Sequence, residues 1–167
     1  MPPKIYVASP LGFSESGRFF YYQEFLPTLR ELGYEIFDPW QHSPKDRIEE
    51  LKDKESGLDV GEARKDWQSI NLEIGTKNVN ILNEADGLIA VLDGPDVDSG
   101  TAAEIGYFCG KHNNQRPILG YRTDFRLSSE NIGGIINIQV EQFIYLTKGI
   151  IVANIKDLKQ ELKKRFE

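Results

Sequence analysis

The chain has one cysteine, Cys109, so no internal disulfide is open to it. It has only two histidines, His42 and His112, far apart in sequence and without clustered cysteines. A dedicated zinc site is therefore not expected, nor any metal. Long hydrophobic runs are also missing. No stretch approaches the roughly 20 apolar residues that cross a bilayer, and the longest are of strand length, so no membrane partner is expected. Positive charge is in deficit, with 20 Lys and Arg against 26 Asp and Glu and a net charge of −6. Binding by phosphate neutralisation needs clustered cations, so nucleic acid is excluded as an expected partner. Neither a Gly-x-Gly-x-x-Gly fingerprint nor a phosphate-binding lysine loop is present. Gly94 and Gly100 have the wrong spacing, as do Gly12 and Gly17, and no cofactor is expected. Lys4 leads straight into an apolar strand pattern without a long signal-like segment, so a soluble, cytoplasmic protein is the default expectation.

What is present reads as one domain over residues 1–167, a length that supports one substantial core. Ile5-Tyr6-Val7-Ala8 is a buried first strand, followed by a loop at Ser9-Pro10-Leu11-Gly12. Gly17 to Leu32 carries Phe20, Tyr21, Phe25, Leu29 and Leu32 at helical spacing, with Gly33 as a stop. Pro27 leaves two readings, one kinked helix or a turn ahead of a helix that begins there. Tyr34 to Phe37 is a second strand, closed by Asp38-Pro39. Residues 41–66 form a charged excursion that Ser56-Gly57 splits into two short helices. It either folds over a site or faces solvent. Trp67 to Ala85 repeats Ile70, Ile74, Val79 and Leu82 or Ile81 helically, with Gly75 as a point of division.

Gly87 to Leu92 is the clearest core strand, apolar throughout as in a parallel sheet covered on both faces. An acidic loop from Asp93 to Gly100 follows, then a helix from Thr101 to Lys111 and a fourth strand from Pro117 to Tyr121. Phe143 to Leu146 is expected as a fifth strand, with a closing amphipathic helix from Ile155 to Phe166. This alternation predicts an α/β fold, a flavodoxin/Rossmann-like parallel sheet of about five strands flanked by helices. Ligands of such sheets sit at the carboxyl ends of the strands, which gathers Ser9-Pro10, Asp38 and Asp93 to Glu104 around one crevice.

The chemistry is expected from carboxylates. Asp98 and Glu104 straddle a loop-to-helix junction; with Ser99 or Thr101 as cap, Glu104 falls near the first turn. Small residues Ser99, Gly100, Thr101, Ala102 and Ala103 leave the backbone approachable. One carboxylate in such a place can attack an anomeric carbon while the other holds sugar hydroxyls or manages protons. The plain alternative is that Asp98 caps the helix and Glu104 is solvated. Tyr6, Phe13, Phe19 and Trp40 are candidates for a base-stacking platform; Phe19 and Tyr21 equally suit ordinary packing.

Lys4 to Pro10, Glu84 to Ala90, Asp98-Ser99-Gly100-Thr101-Ala102-Ala103-Glu104-Ile105-Gly106 and Asn131 to Val140 together resemble the nucleoside 2-deoxyribosyltransferase family, over most of the chain except residues 41–66. The resemblance implies that Glu104 is the nucleophile toward C1′ of a 2′-deoxynucleoside, that Asp98 binds a sugar hydroxyl, and that Tyr6 positions the nucleophile. Ser9, Phe13, Trp40, Asn78, Asp93 and Gly100 join them as expected substrate-binding residues. It further implies a homo-oligomer, a dimer or a hexamer, with shared active sites, in which Asn137 reaches the sugar of a neighbouring subunit. The expected partners are a small 2′-deoxynucleoside and a nucleobase. One position departs from the family pattern. Where members carry an aspartate that handles the proton on the departing base, this chain has Asn78, with Asn80 as the alternative alignment, and an amide cannot shuttle a proton. Asp93, Asp86 or water then remain to assist, although Asp86 reads more simply as a residue at a strand start. Hydrolysis of the glycosyl-enzyme is the second reading, and a non-catalytic nucleotide-binding module the third.

Overall fold

A computed structural model describes the chain except Ser56, Leu58 and Glu167, with the backbone alone at Lys54 and Glu55. Its centre is a five-stranded parallel sheet in the order β2-β1-β3-β4-β5, built from β1 (Lys4–Ala8), β2 (Glu35–Phe37), β3 (Gly87–Val91), β4 (Ile118–Tyr121) and β5 (Ile150–Val152). All five residues of β3 are buried because it is covered on both faces and flanked on both sides, whereas edge strands β2 and β5 each bury fully only their last residue. The chain winds outward from β1 to one edge and then returns past it to the other. The winding therefore reverses between β1 and β3, and loops at their carboxyl ends diverge to leave a crevice.

Two apolar layers sandwich the sheet. One contains Ile5, Val7, Phe25, Leu29, Ile89, Leu119, Leu158 and Leu162; the other Tyr6, Ala8, Leu88, Ala90, Ile105, Phe108, Val140 and Ile144. Alternate residues of β1 and β3 point to opposite layers, as the two-residue strand period requires.

The first helical run settles the Pro27 question in favour of one interrupted helix. Helix α1 (Glu15–Phe20) passes through a π turn at Tyr21–Phe25 into α2 (Leu26–Arg30), and the N–H of Leu26 reaches back to the carbonyl of Tyr21. The widened turn lies just before Pro27, whose ring would crowd the preceding turn of a regular helix and which has no N–H to donate.

The charged excursion contains α3 (Lys45–Glu55), and α4 (Val60–Glu84) begins within it, capped by Asp59, which accepts from the N–H of Gly61 at 2.8 Å. The helix break expected at Ser56-Gly57 falls on Ser56, outside the described residues. Gly75 does not divide α4, which runs unbroken for 25 residues. The expected fifth strand at Phe143 to Leu146 is corrected. Those residues belong to α6 (Ile138–Leu146), which buries Val140 and Ile144 one helical turn apart, and the fifth strand is Ile150–Val152. Between them Gly149 lies so close to β4 that a Cβ would fall 1.8 Å from the carbonyl oxygen of Ile118, so the chain passes there only with glycine. Helices α5 (Ser99–Lys111) and α7 (Ile155–Phe166) lie where the sequence patterns put them. No helix among the described residues is long and apolar enough to cross a membrane.

Candidate active site

The loop after β3 turns into α5 at Asp98. Its Oδ2 accepts from the N–H of Thr101 at 2.9 Å and from the Thr101 hydroxyl at 3.3 Å, so Asp98 is itself the N-cap, rather than Ser99 or Thr101. This places Glu104 in the second turn of α5, on the side facing β1. There the Tyr6 hydroxyl, wholly buried at the centre of β1, donates to Glu104 Oε1 at 2.5 Å. Of the plain alternative, Asp98 does cap the helix, but Glu104 is half-buried and hydrogen-bonded rather than solvated. Burial pushes its pKa up to about 7; the neighbouring Asp98 charge adds to the rise, and the hydrogen bond from Tyr6 opposes it. Burial and then the Glu104 charge drive the Tyr6 phenol far above its ordinary range, so Tyr6 stays a donor.

Tyr6 is held in turn by Phe37 of β2, whose ring stacks on it at 5.4 Å, with His42 stacked on the far side of Phe37 at 4.4 Å. The carboxyl end of β1 supplies the other wall. Ser9 caps a short 3-10 turn, Pro10–Phe13, and its carbonyl accepts from the Trp40 indole N–H at 3.0 Å. Phe13 meets Trp40 edge-on, ring centroids 4.7 Å apart. Gly12 lies beneath the indole, where a Cβ would come within 2.3 Å of the ring. Asp38, fully buried, fixes this turn by accepting from the Trp40 N–H at 3.0 Å and from the Tyr21 hydroxyl at 3.1 Å.

These walls and one face of α4 enclose a cavity of about 620 Å³. Ser9, Phe13 and Trp40 line it on one side, Asp98, Gly100 and Glu104 on another, and Asn78 on a third. Sequence reasoning missed further lining residues: Pro39, Ser43, Trp67, Asn71, Ile74 and Thr101. Trp67, Asn71, Ile74 and Asn78 recur at helical spacing, and that signal was available in the sequence once α4 was known to cover the crevice.

Two expected substrate-binding residues lie elsewhere in the single chain. Asp93 accepts from the N–H of Thr123 at 2.5 Å, its hydroxyl at 2.7 Å and the N–H of Asp124 at 2.8 Å, tying the loops after β3 and β4 together outside the cavity lining. Asn137 caps α6 by accepting from Gln139 and Val140 N–H groups, and donates to Glu130 at 2.6 Å. Asp86 accepts from the Lys4 N–H at 2.9 Å, in keeping with a residue at a strand start. Tyr21 is a packing residue; Phe19 is exposed and outside the cavity. Among the described residues, no group of three or more His, Cys, Asp or Glu side chains is placed to hold a metal ion.

The arrangement is one carboxylate gripped by a phenol, a second at the mouth of the same helix, and an aromatic chamber above them. Known structures share the fold that carries this arrangement. The chain superposes with 25% identity and a TM-score of 0.69 on a conserved protein from Enterococcus faecalis V583, covering 99% of each chain. A 2-desoxiribosyltransferase from Leishmania mexicana superposes at 16% identity and TM-score 0.65, covering 99% of this chain and 100% of that one. A 2-deoxyribosyltransferase from Bacillus psychrosaccharolyticus does so at 20% identity and TM-score 0.58, covering 93% and 89%. No curated protein matches the chain. The family model for nucleoside 2-deoxyribosyltransferase matches residues 5–148, nearly the whole sheet and every wall of the cavity, and the chain belongs to that family.

Proposed function

We propose that the protein transfers a 2-deoxyribosyl group between nucleobases, with Glu104 as nucleophile and a glycosyl-glutamate ester as intermediate. The supporting observation is the position of Glu104, half-buried against the Tyr6 hydroxyl at 2.5 Å and open to a cavity it shares with Asp98. Cleavage of an N-glycosidic bond builds positive charge on the sugar ring, which a carboxylate beside C1′ stabilises before bonding to it. Tyr6 donates to one oxygen of Glu104 and leaves the other to attack. Asp98 uses Oδ2 to cap α5, and Oδ1 is left to accept from a sugar hydroxyl. Phe13, Trp40 and Trp67 supply stacking surface for the base. Among the described residues no Lys, Arg or His lines the cavity while two carboxylates do, which disfavours a 5′-phosphate and supports a nucleoside as substrate.

Incubation with 2′-deoxyinosine and adenine is expected to yield 2′-deoxyadenosine, and Glu104→Gln to abolish it. Turnover that persists undiminished in Glu104→Gln would sink this reading. Hydrolysis is the second reading, favoured by the amide of Asn78 in the cavity wall, since a base held weakly yields its place to water. A parallel reaction without adenine separates the two through the free deoxyribose it releases.

In an assembly, exposed apolar side chains of the segment before α6 and of α6 itself are the surface for a second copy: Phe125, Ile132, Ile138, Tyr145 and Leu146. Asn137 lies within that surface, which fits a residue lent to a neighbour's site.

A further inference from the structure

Within one chain, the α4 wall of the cavity carries polar groups that can hydrogen-bond a base but cannot protonate it. Among the described residues that line the cavity in one chain, Asp98 and Glu104 are the only carboxylic acids, and there is no His, Lys, Cys or Tyr. Both acids are already engaged. Glu104 must be ionised to attack, and Asp98 Oδ2 accepts two hydrogen bonds from Thr101. The lining contributed by α4 and the turn after β2 includes Trp40, Ser43, Trp67, Asn71, Ile74 and Asn78. Asn71 and Asn78 lie seven residues apart on one face of α4, with Ile74 between them, so their amides edge an otherwise apolar surface. An amide N–H stabilises a developing anion by hydrogen bonding, but it is far too weak an acid to give up its proton.

We infer that the enzyme selects its nucleosides by the acidity of the departing base, with Asn78 as the residue that sets this dependence. The inference rests on the transferase reading above and specifies its substrate class as 2′-deoxynucleosides whose base leaves readily as an anion. In the step concerned, a Glu104 oxygen forms a bond to C1′ as the C1′–N bond breaks, and that bond's electron pair departs on the base nitrogen. The anionic base then takes a proton from water. With no acid to neutralise it in the transition state, its negative charge is stabilised only by its own substituents and by the amides. Electron-withdrawing substituents on the base therefore speed the step directly.

The test uses two substrate pairs of nearly constant shape, 5-trifluoromethyl-2′-deoxyuridine against thymidine and 2-fluoro-2′-deoxyadenosine against 2′-deoxyadenosine. Base release is measured in a single turnover, for the unaltered protein and for Asn78→Asp. In the unaltered protein the fluorinated member of each pair that reacts is expected to release its base on the order of tenfold faster or more. Asn78→Asp, nearly isosteric on a partly exposed helix face, is expected to bring the two rates of a pair together by accelerating the unfluorinated member. Equal rates within each pair in the unaltered protein, or a ratio unmoved by Asn78→Asp, would overturn this inference and leave the transferase reading standing. No release of base from any of the four substrates would overturn both.

Discussion

A glutamate with a pKa near 7 is under two opposing demands, and both have measurable consequences at the level of single residues. In the proposed mechanism ionised Glu104 is the form that attacks, so the rate is expected to rise with pH through about 7 and then level off. Tyr6 favours that ionised form, and Tyr6→Phe should move the midpoint of the profile upward. At pH 7 the rate should fall on the order of tenfold, with part of the loss recovered at pH 9. Stability responds in the opposite sense. The folded-state pKa of Glu104 lies above its ordinary value of 4.5, so the group's contribution is fully present below that value and is lost as pH climbs to about 7. Glu104→Gln carries no charge to bury, and denaturant titration should find it more stable than the unaltered protein by about 3 kcal/mol at pH 8, with the gap closing near pH 4. An equal gap at both pH values would show that burial of charge is not its origin. The two effects together, activity abolished and stability raised, are expected of a group held in a costly environment for its chemistry.

At the scale of elements, glycine separates what builds the cavity from what merely tolerates it. Nothing lies within 4 Å of a Cβ added at Gly75 in α4, so Gly75→Ala should raise stability by about 0.5–1 kcal/mol, read as a higher melting temperature, without changing KM. At Gly12 the same methyl meets the Trp40 indole at 2.3 Å. Gly12→Ala should displace the indole and raise KM severalfold while kcat changes less, because the group displaced is proposed to hold the base and lies outside the Glu104–Tyr6 pair. How readily each element could be recognised from the sequence depended on length. Gly87 to Val91 and Ile155 to Phe166 announce themselves because burial on both faces and a single apolar stripe leave unmistakable patterns. Phe143 to Leu146 does not. A four-residue apolar run suits a strand or one turn of a buried helix equally, and only the docking of Val140 and Ile144 on the sheet decides for the helix. The continuity of α4 across Gly75 is decided in the same way, by packing along its length, since one glycine costs a long helix only about 1 kcal/mol.

For the molecule as a whole, the apolar surface around Asn137 predicts an assembly, and the proposal of shared sites has a test that needs no structure. Sedimentation should give a mass above that of one 19.0 kDa chain. Glu104→Gln and Asn137→Ala proteins, each impaired alone, should regain activity when dissociated together and reassociated, because mixed assemblies contain sites with an intact Glu104 from one copy and an intact Asn137 from another. Failure of mixing to restore activity would confine Asn137 to its role as the cap of α6.

The order of strands and helices as far as β4, the closing helix, the carboxylate block from Asp98 to Glu104 and the aromatics Tyr6, Phe13 and Trp40 were legible in the linear chain, whereas α6 and β5 were not. The legible features are carried by local periodicity, by loop positions at strand ends and by a motif contiguous in sequence. Tertiary structure alone decided the means by which Tyr6 holds Glu104, a direct hydrogen bond across 98 positions, and that Asp93 braces loops instead of lining the cavity. It also decided that Trp67, Asn71 and Ile74 face the same space as Asp98. These are contacts between segments remote along the chain, set by how α4 and α5 dock on the sheet, and local sequence patterns carry no record of which remote faces will meet.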